Sequence, residues 1–137
     1  LGVELLSMAQ SVGEAAFIAA AHRALGGTLF YMGELADSRA HLDQVLASYP
    51  STEDRSRSLI QDVYDVVDPR VTARSYLSWV LWFTGEPDRA AEESDAATTM
   101  AKQLDHPFSI ALAVSFSAWL WGARSSASPR SFSSMSL

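Results

Sequence analysis

The sequence predicts an all-α chain of stacked antiparallel helical hairpins arranged as irregular repeats. Three observations predict it: apolar residues recur at helical spacing along most of the chain, prolines stand where a first helical turn tolerates them, and two distant segments align when Gly33 is laid on Gly85. Leu42, Val45, Leu46 and Tyr49 form one i, i+3, i+4, i+7 stripe, and Tyr76, Trp79, Val80 and Phe83 form another. No comparable alternating run predicts a sheet.

Helix starts are legible in the dipeptides Asp68-Pro69, Glu86-Pro87 and His106-Pro107, because proline lacks an N–H that the first turn leaves unpaired anyway. Ser11 with Glu14, and Ser51 with Asp54, have capping-box spacing and propose two further starts. The resulting expectation is helices over 1–10, 13–32, 35–49, 52–65, 69–84, 87–104 and 107–121. Residues 1–121 thus read as one helical-repeat region. From Gly122 the text turns serine-rich, with isolated apolar residues that cannot bury a helical face, and 122–137 reads as a disordered tail.

Composition narrows the function classes. The chain has 137 residues, close to half of them apolar, and a formal charge of −6, so its surface carries no field that draws in nucleic acid or anionic lipid. With no cysteine, neither disulfides nor thiolate metal ligation is available. The longest apolar-rich segments, around Ala15 to Ala21 and Leu77 to Phe83, are far shorter than the roughly 20 residues of a membrane-spanning helix. The N-terminus, Leu1-Gly2-Val3-Glu4, has neither an initiator methionine nor the basic start of a signal peptide. These features predict an excerpt of a cytoplasmic protein, with no membrane and no nucleic-acid partner.

The internal repeat decides the class. Written as 34-residue units, the segment 19–52 carries Leu25, Gly26, Leu29, Gly33, Ser38 and Pro50 at the signature places of a tetratricopeptide hairpin. The segment 71–104 carries Leu77, Ser78, Leu81, Gly85, Ala90 and Ala97 at corresponding places, without the late proline. Two antiparallel helices approach closely only where side chains are small, which Gly26, Ser78, Ser38 and Ala90 provide. A tight turn needs a residue that accepts positive φ, which Gly33 and Gly85 provide. Residues 53–70 separate the two units, so the stack is irregular.

The phrases His22-Arg23-Ala24-Leu25-Gly26-Gly27-Thr28-Leu29-Phe30-Tyr31-Met32-Gly33-Glu34, Tyr76-Leu77-Ser78-Trp79-Val80-Leu81-Trp82 with Gly85-Glu86-Pro87-Asp88, and His106-Pro107-Phe108-Ser109 resemble one particular group. They are similar to the C-terminal tetratricopeptide-like region of large bacterial signalling ATPases, which join a cyclase, kinase or DNA-binding output domain to a P-loop ATPase and then to a helical region. The resemblance spans residues 1 to about 121. It implies a tetratricopeptide-like α-solenoid with a role in sensing, autoinhibition or partner binding that controls the ATPase. The family continues with a second helix after about Arg124, and the serine-rich end departs from that pattern.

Catalytic and metal chemistry was sought in the residues. There is no phosphate loop, and Gly26-Gly27 lies inside a helical repeat. His41-Leu42-Asp43, with His22 on a facing helix, is the nearest approach to a metal cluster and lacks ligand spacing. Asp62, Asp65 and Asp68 lack the alternate-residue ligands and central glycine of a calcium loop. Glu92 and Glu93 are adjacent on a helix and point apart. No catalytic residue, metal or cofactor is expected, and the chain is not expected to be an enzyme.

In tetratricopeptide stacks the first helix of each pair lines the concave face. That register gives Ala20, Arg23, Gly27, Phe30 and Tyr31, then Thr72, Ser75, Trp79, Trp82 and Phe83. From these, Arg23, Phe30, Tyr31, Ser75, Trp79, Trp82 and Phe83 are the candidate partner-binding groove, since aromatic residues and arginine most often carry interface energy. The alternative is that the rings pack between neighbouring hairpins. The expected partner is a protein or peptide, including the ATPase domain of a parent chain. A small-molecule effector held between hairpins is the second function reading.

Overall fold

Proline opens three helices of this chain. The computed structural model describes residues 2–4, 6, 15–48 and 68–127, and its regular structure there is entirely helical. Five helices follow in order: α1 Ala15–Tyr31, α2 Leu35–Ser48, α3 Pro69–Phe83, α4 Pro87–Leu104 and α5 Pro107–Ala127. Residues 2–4 and 6 are helical as well. The expected helix over 52–65, most of that over 1–10, both capping-box pairs and residues 128–137 lie outside the described residues.

The three X-Pro starts behave as the missing N–H requires. Asp68 caps α3, its carboxylate accepting from the Arg70 N–H at 2.8 Å, and Pro69 takes the first helical place. Pro87 and Pro107 open α4 and α5. The last boundary differs from the sequence reading: α5 runs to Ala127, so residues 122–127, assigned with the disordered tail, continue the helix. Its Arg124 holds this end in place, donating from Nη1 to the Pro87 carbonyl at 2.6 Å with its guanidinium 5.2 Å from the Trp121 ring centroid. That single long side chain supplies an anchor where apolar spacing offers none.

The first two inter-helix turns are near copies. Gly33 and Gly85 adopt φ of 81° and 85°, the left-handed region open to glycine. In the first, the Gly33 N–H donates to Phe30 O at 3.0 Å and the Glu34 N–H to Leu29 O at 2.9 Å. In the second, Gly85 donates to Trp82 O at 3.3 Å and Glu86 to Leu81 O at 2.8 Å. This two-bond closure satisfies the carbonyls that a helix end leaves unpaired and turns the chain back at once. The third turn uses Asp105 at φ 51°, a residue whose short polar side chain tolerates that region.

Helix α1 packs on α2, α3 on α4, and α4 on α5, while α3 also touches α1, α2 and α5. Ala19, Ala21 and Gly26 of α1 are buried, and so are Val71, Ala73 and Ser78 of α3, each 52 residues later. The same offset carries the buried Ser38, Leu42 and Val45 of α2 onto the buried Ala90, Ser94 and Ala97 of α4. The two hairpins therefore share turn geometry and burial pattern. Their shared core contains Leu42, Val45, Leu77, Val80, Leu81 and Leu120. A second cluster of Val71, Ala97, Ala101 and Ala113 joins α3, α4 and α5.

The closest approach of α1 and α2 is at Gly26. A Cβ built there lies 2.7 Å from Leu42 Cδ2, and the Ser38 hydroxyl donates to Gly26 O at 2.6 Å. Leu42 is fully buried and has nowhere to retreat. Gly122 of α5, by contrast, meets nothing within 4 Å. Gly26→Leu is expected to destabilise the chain by roughly 1 to 3 kcal/mol through overpacking. Gly122→Ala is expected to stabilise it by roughly 0.5 to 1 kcal/mol through helix propensity alone. Thermal melting of both variants checks the pair; a lowered midpoint for Gly122→Ala, or an unchanged one for Gly26→Leu, contradicts the packing described.

Candidate functional site

Helices α1, α3 and α5 place seven aromatic rings against one another. Phe30 and Tyr31 come from α1, Tyr76, Trp79 and Phe83 from α3, and Phe116 and Trp119 from α5. Trp79 is the hub: it stacks on Phe116 with centroids 4.0 Å apart and planes inclined at 22°, and lies 4.7 Å from Trp119 and 5.9 Å from Phe30. Its indole N–H donates to Phe116 O at 3.1 Å, so the ring is fixed by a polar bond as well as by packing. Phe30 bridges to Tyr76 at 5.7 Å and to Phe83 at 6.1 Å, and Phe83 reaches Trp119 at 5.7 Å.

The sequence-derived groove divides on this geometry. Phe30, Tyr31, Trp79 and Phe83 belong to one aromatic face, and Arg23 borders it near Tyr76. Ser75 does not line it. Its side chain is buried and its hydroxyl donates to Val71 O at 2.8 Å, within its own helix. Trp82 is half-buried and packs on the core around Leu77 and Leu81. Trp79 and Trp82 therefore pack against different neighbours, Trp79 on Phe116 and Trp82 on the core. Sequence reasoning missed Tyr76, Phe116 and Trp119, although the i, i+3 and i+7 spacing of Tyr76, Trp79 and Phe83 already put Tyr76 on their face.

Both readings of the rings hold in part. Trp79 and Phe116 are half-buried in the seam between α3 and α5, yet Tyr31, Phe83 and Trp119 keep 71%, 54% and 42% of their surface open. The face is a rigid aromatic floor with exposed edges. α1 runs close beside it at Gly27, where a Cβ would make an ordinary contact 3.7 Å from the Tyr76 ring. The Tyr31 and Tyr76 hydroxyls meet at 3.2 Å. Burial, then the hydrogen bond with Tyr31, push the Tyr76 phenol up to about 12, while nearby Arg23 pulls the other way.

Elsewhere, His22 on α1 and His41 on α2 meet with Nδ1 atoms 2.9 Å apart. Sequence reasoning anticipated the pair as facing residues. Among the described residues no group of three His, Asp or Glu side chains gathers to hold a metal ion. The contact needs one ring to donate and the other to accept, so it exists only while one Nδ1 is unprotonated. Burial, then the charge His41 would carry, lower His22 from the ordinary 6.5. Comparison with known proteins found no family model, no curated protein and no solved structure that matches the chain.

Two expectations follow from these contacts. Trp79→Ala should cost about 3 kcal/mol, because it empties the α3–α5 seam and leaves Phe116 without its stacking partner, whereas Phe83→Ala should cost under about 1 kcal/mol. Chemical denaturation resolves the difference; equal losses would mean that Trp79 is not the hub. The histidine pair predicts a pH effect. Because folding favours neutral His22, its contribution is full above pH 6.5 and declines as the pH falls below that value. The melting temperature should drop between about pH 7 and about pH 5.5, and the slope should flatten in His22→Asn. An identical slope in the variant rules the pair out as its cause.

Proposed function

We propose that this chain is a tetratricopeptide-like helical-repeat module that binds a protein or peptide on the face formed by α1, α3 and α5. The observation that carries the reading is the aromatic face itself. Rigid aromatic side chains with open edges add contact area at small entropic cost, which is why tyrosine and tryptophan dominate binding hot spots. The paired turns at Gly33 and Gly85, and the burial pattern repeated at a 52-residue offset, support the repeat architecture. No helix among the described residues is long and apolar enough to cross a membrane. Together with the resemblance to the helical region of bacterial signalling ATPases, these features favour a cytoplasmic regulatory segment whose partner includes the ATPase domain of a parent chain.

The function is binding and not catalysis in this reading. Among the described residues, His22 and Tyr76, both shifted by burial, lie in different seams, His22 against His41 of α2 and Tyr76 against Tyr31 and Phe116.

Selection of phage-displayed random peptides on the immobilised full chain tests the proposal. Peptides should be retained, and Phe83→Ala and Trp119→Ala should each weaken them about tenfold or more at unchanged melting temperature. Retention that survives both substitutions, or no retention at all, refutes this face as the binding surface.

A further inference from the structure

The charges of this fold are sorted by layer. Helices α1, α3 and α5 contain no aspartate or glutamate, whereas α2 carries Asp37 and Asp43 and α4 carries Asp88, Glu92, Glu93 and Asp95. The aromatic face is therefore built on elements whose only formal charges are arginines. Three of these are engaged: Arg70 with Asp68, Arg74 with Glu93 at 2.8 Å, and Arg124 with the Pro87 carbonyl. Arg23 pairs with no carboxylate among the described residues and is close enough to act on the Tyr76 hydroxyl.

That hydroxyl adds a second recognition element. Two phenols in mutual contact use one proton between them, so the Tyr31–Tyr76 pair retains one O–H to donate outward. A guanidinium one helical turn from Gly27, which lies beside the Tyr76 ring, and a phenolic donor on that ring suit a carboxylate, and charge-assisted hydrogen bonds of this kind are the strong ones. At the opposite end, Phe83 and Trp119 offer open apolar edges and no donor except the indole N–H. Along α1, Gly27 lies beside the Tyr76 ring and Phe30 meets Phe83, and along α5, Phe116 meets Tyr76 and Trp119 meets Phe83, so Arg23, one turn before Gly27, marks one end of the face and Phe83 the other. In the turns that follow α1 and α3 stand Glu34 and Glu86, and since Glu86 is ion-paired with Arg39 and Arg89, Glu34 is the one that repels a second carboxylate. From Arg23 to Phe30, whose ring meets Phe83, the helix rises about 10 Å, the length of roughly three to four residues of extended peptide.

We infer that the face takes an extended peptide segment with an acidic side chain about four residues from an aromatic or branched aliphatic one. The carboxylate sits at Arg23 and the Tyr31–Tyr76 hydroxyls, and the apolar side chain lies across Phe83 and Trp119. This rests on the peptide-binding reading above and adds the partner's chemistry and direction.

Sequencing of the peptide pools selected on the full chain decides it. Aspartate and glutamate should be enriched about threefold or more over the starting library at the stated spacing, and lysine depleted. Arg23→Glu should invert the preference toward lysine and arginine, Arg23→Gln should abolish it, and Tyr31→Phe should weaken acidic peptides about threefold. Pools retained through Phe83 and Trp119 without an acidic bias, or with a bias indifferent to both Arg23 variants, overturn the inference and leave the peptide-binding reading standing. So does displacement of acidic peptides by a single-stranded oligonucleotide of equal charge, which would point to phosphate and base recognition. If no pool is retained by the wild-type chain, both readings fall together.

Discussion

Helix α3 is enclosed by all four other helices, and the rest of the structure depends on its being able to lie there. A helix surrounded by protein must satisfy its own polar groups, because water does not reach them. α3 does so for its hydroxyls by turning them back on its backbone, while the Arg74 Nε is buried without a partner. Thr72 donates to Asp68 O, Ser75 to Val71 O and Ser78 to Ser75 O. Its one buried ion pair is local and doubly bonded, with Arg70 Nε and Nη2 on the two oxygens of Asp68 at 3.1 and 3.0 Å. Such a pair contributes little net stability against its desolvation, but either partner alone would be a buried unpaired charge. The small, self-satisfied side chains keep α3 slim enough for α1, α2, α4 and α5 to reach it.

The same end of α3 also positions α5. The Asp68 N–H donates to the Ser109 hydroxyl at 3.0 Å, and that hydroxyl meets His106 Nδ1 at 2.9 Å. Ser109 thus joins the caps of two helices that are forty residues apart in sequence. With their starts tied and their middles joined by Trp79 and Phe116, α3 and α5 are held at both levels. The aromatic face is consequently part of the fold and not an appendage to it, and its exposed rings inherit the rigidity of the buried ones.

How much of this was legible follows from which signals are local. Proline starts and glycine turns depend on one or two residues, and Pro69, Pro87, Pro107, Gly33 and Gly85 all stand where the sequence reading put them. Gly26 was legible too, since a glycine amid a helical repeat demands a close neighbour, here Leu42. Side-chain facing within α3 was less so. Trp79 and Trp82 are three residues apart, both near the boundary between core and face, and neighbours decide which way each goes. Phe116 draws Trp79 outward to the face, and the Leu77–Leu81 core retains Trp82. Ser75 was misassigned for the same reason: the first-helix register assumes an open concave side, but the enclosure of α3 buries that place. Trp119 and Phe116 escaped notice because no second repeat unit existed to align them with. The C-terminal limit of α5 depended on the long-range bond from Arg124, which no local pattern announces.

Charge segregation and aromatic packing are two consequences of one arrangement. Helices α1, α3 and α5 bury faces against one another, so carboxylates are excluded from them and the acidic side chains gather on α2 and α4. Arginines of α3 and α5 reach acceptors on α4, as Arg74 does to Glu93 and Arg124 to the Pro87 carbonyl, while Arg39 of α2 reaches Glu86 at 2.9 Å. Arg39 and Arg89 share that Glu86 carboxylate, which is held below its ordinary 4.5 first by the hydrogen bond from Arg89. Exposed pairs of this kind set register more than they add stability. Arg23 stands apart, because among the described residues it pairs with no carboxylate. A cation left without a carboxylate beside a preorganised aromatic floor is a poor device for holding helices together, since half-burial weakens its solvation and returns no ion pair. Its place is physically sensible only where something else completes the electrostatics, which is the argument for an acidic ligand.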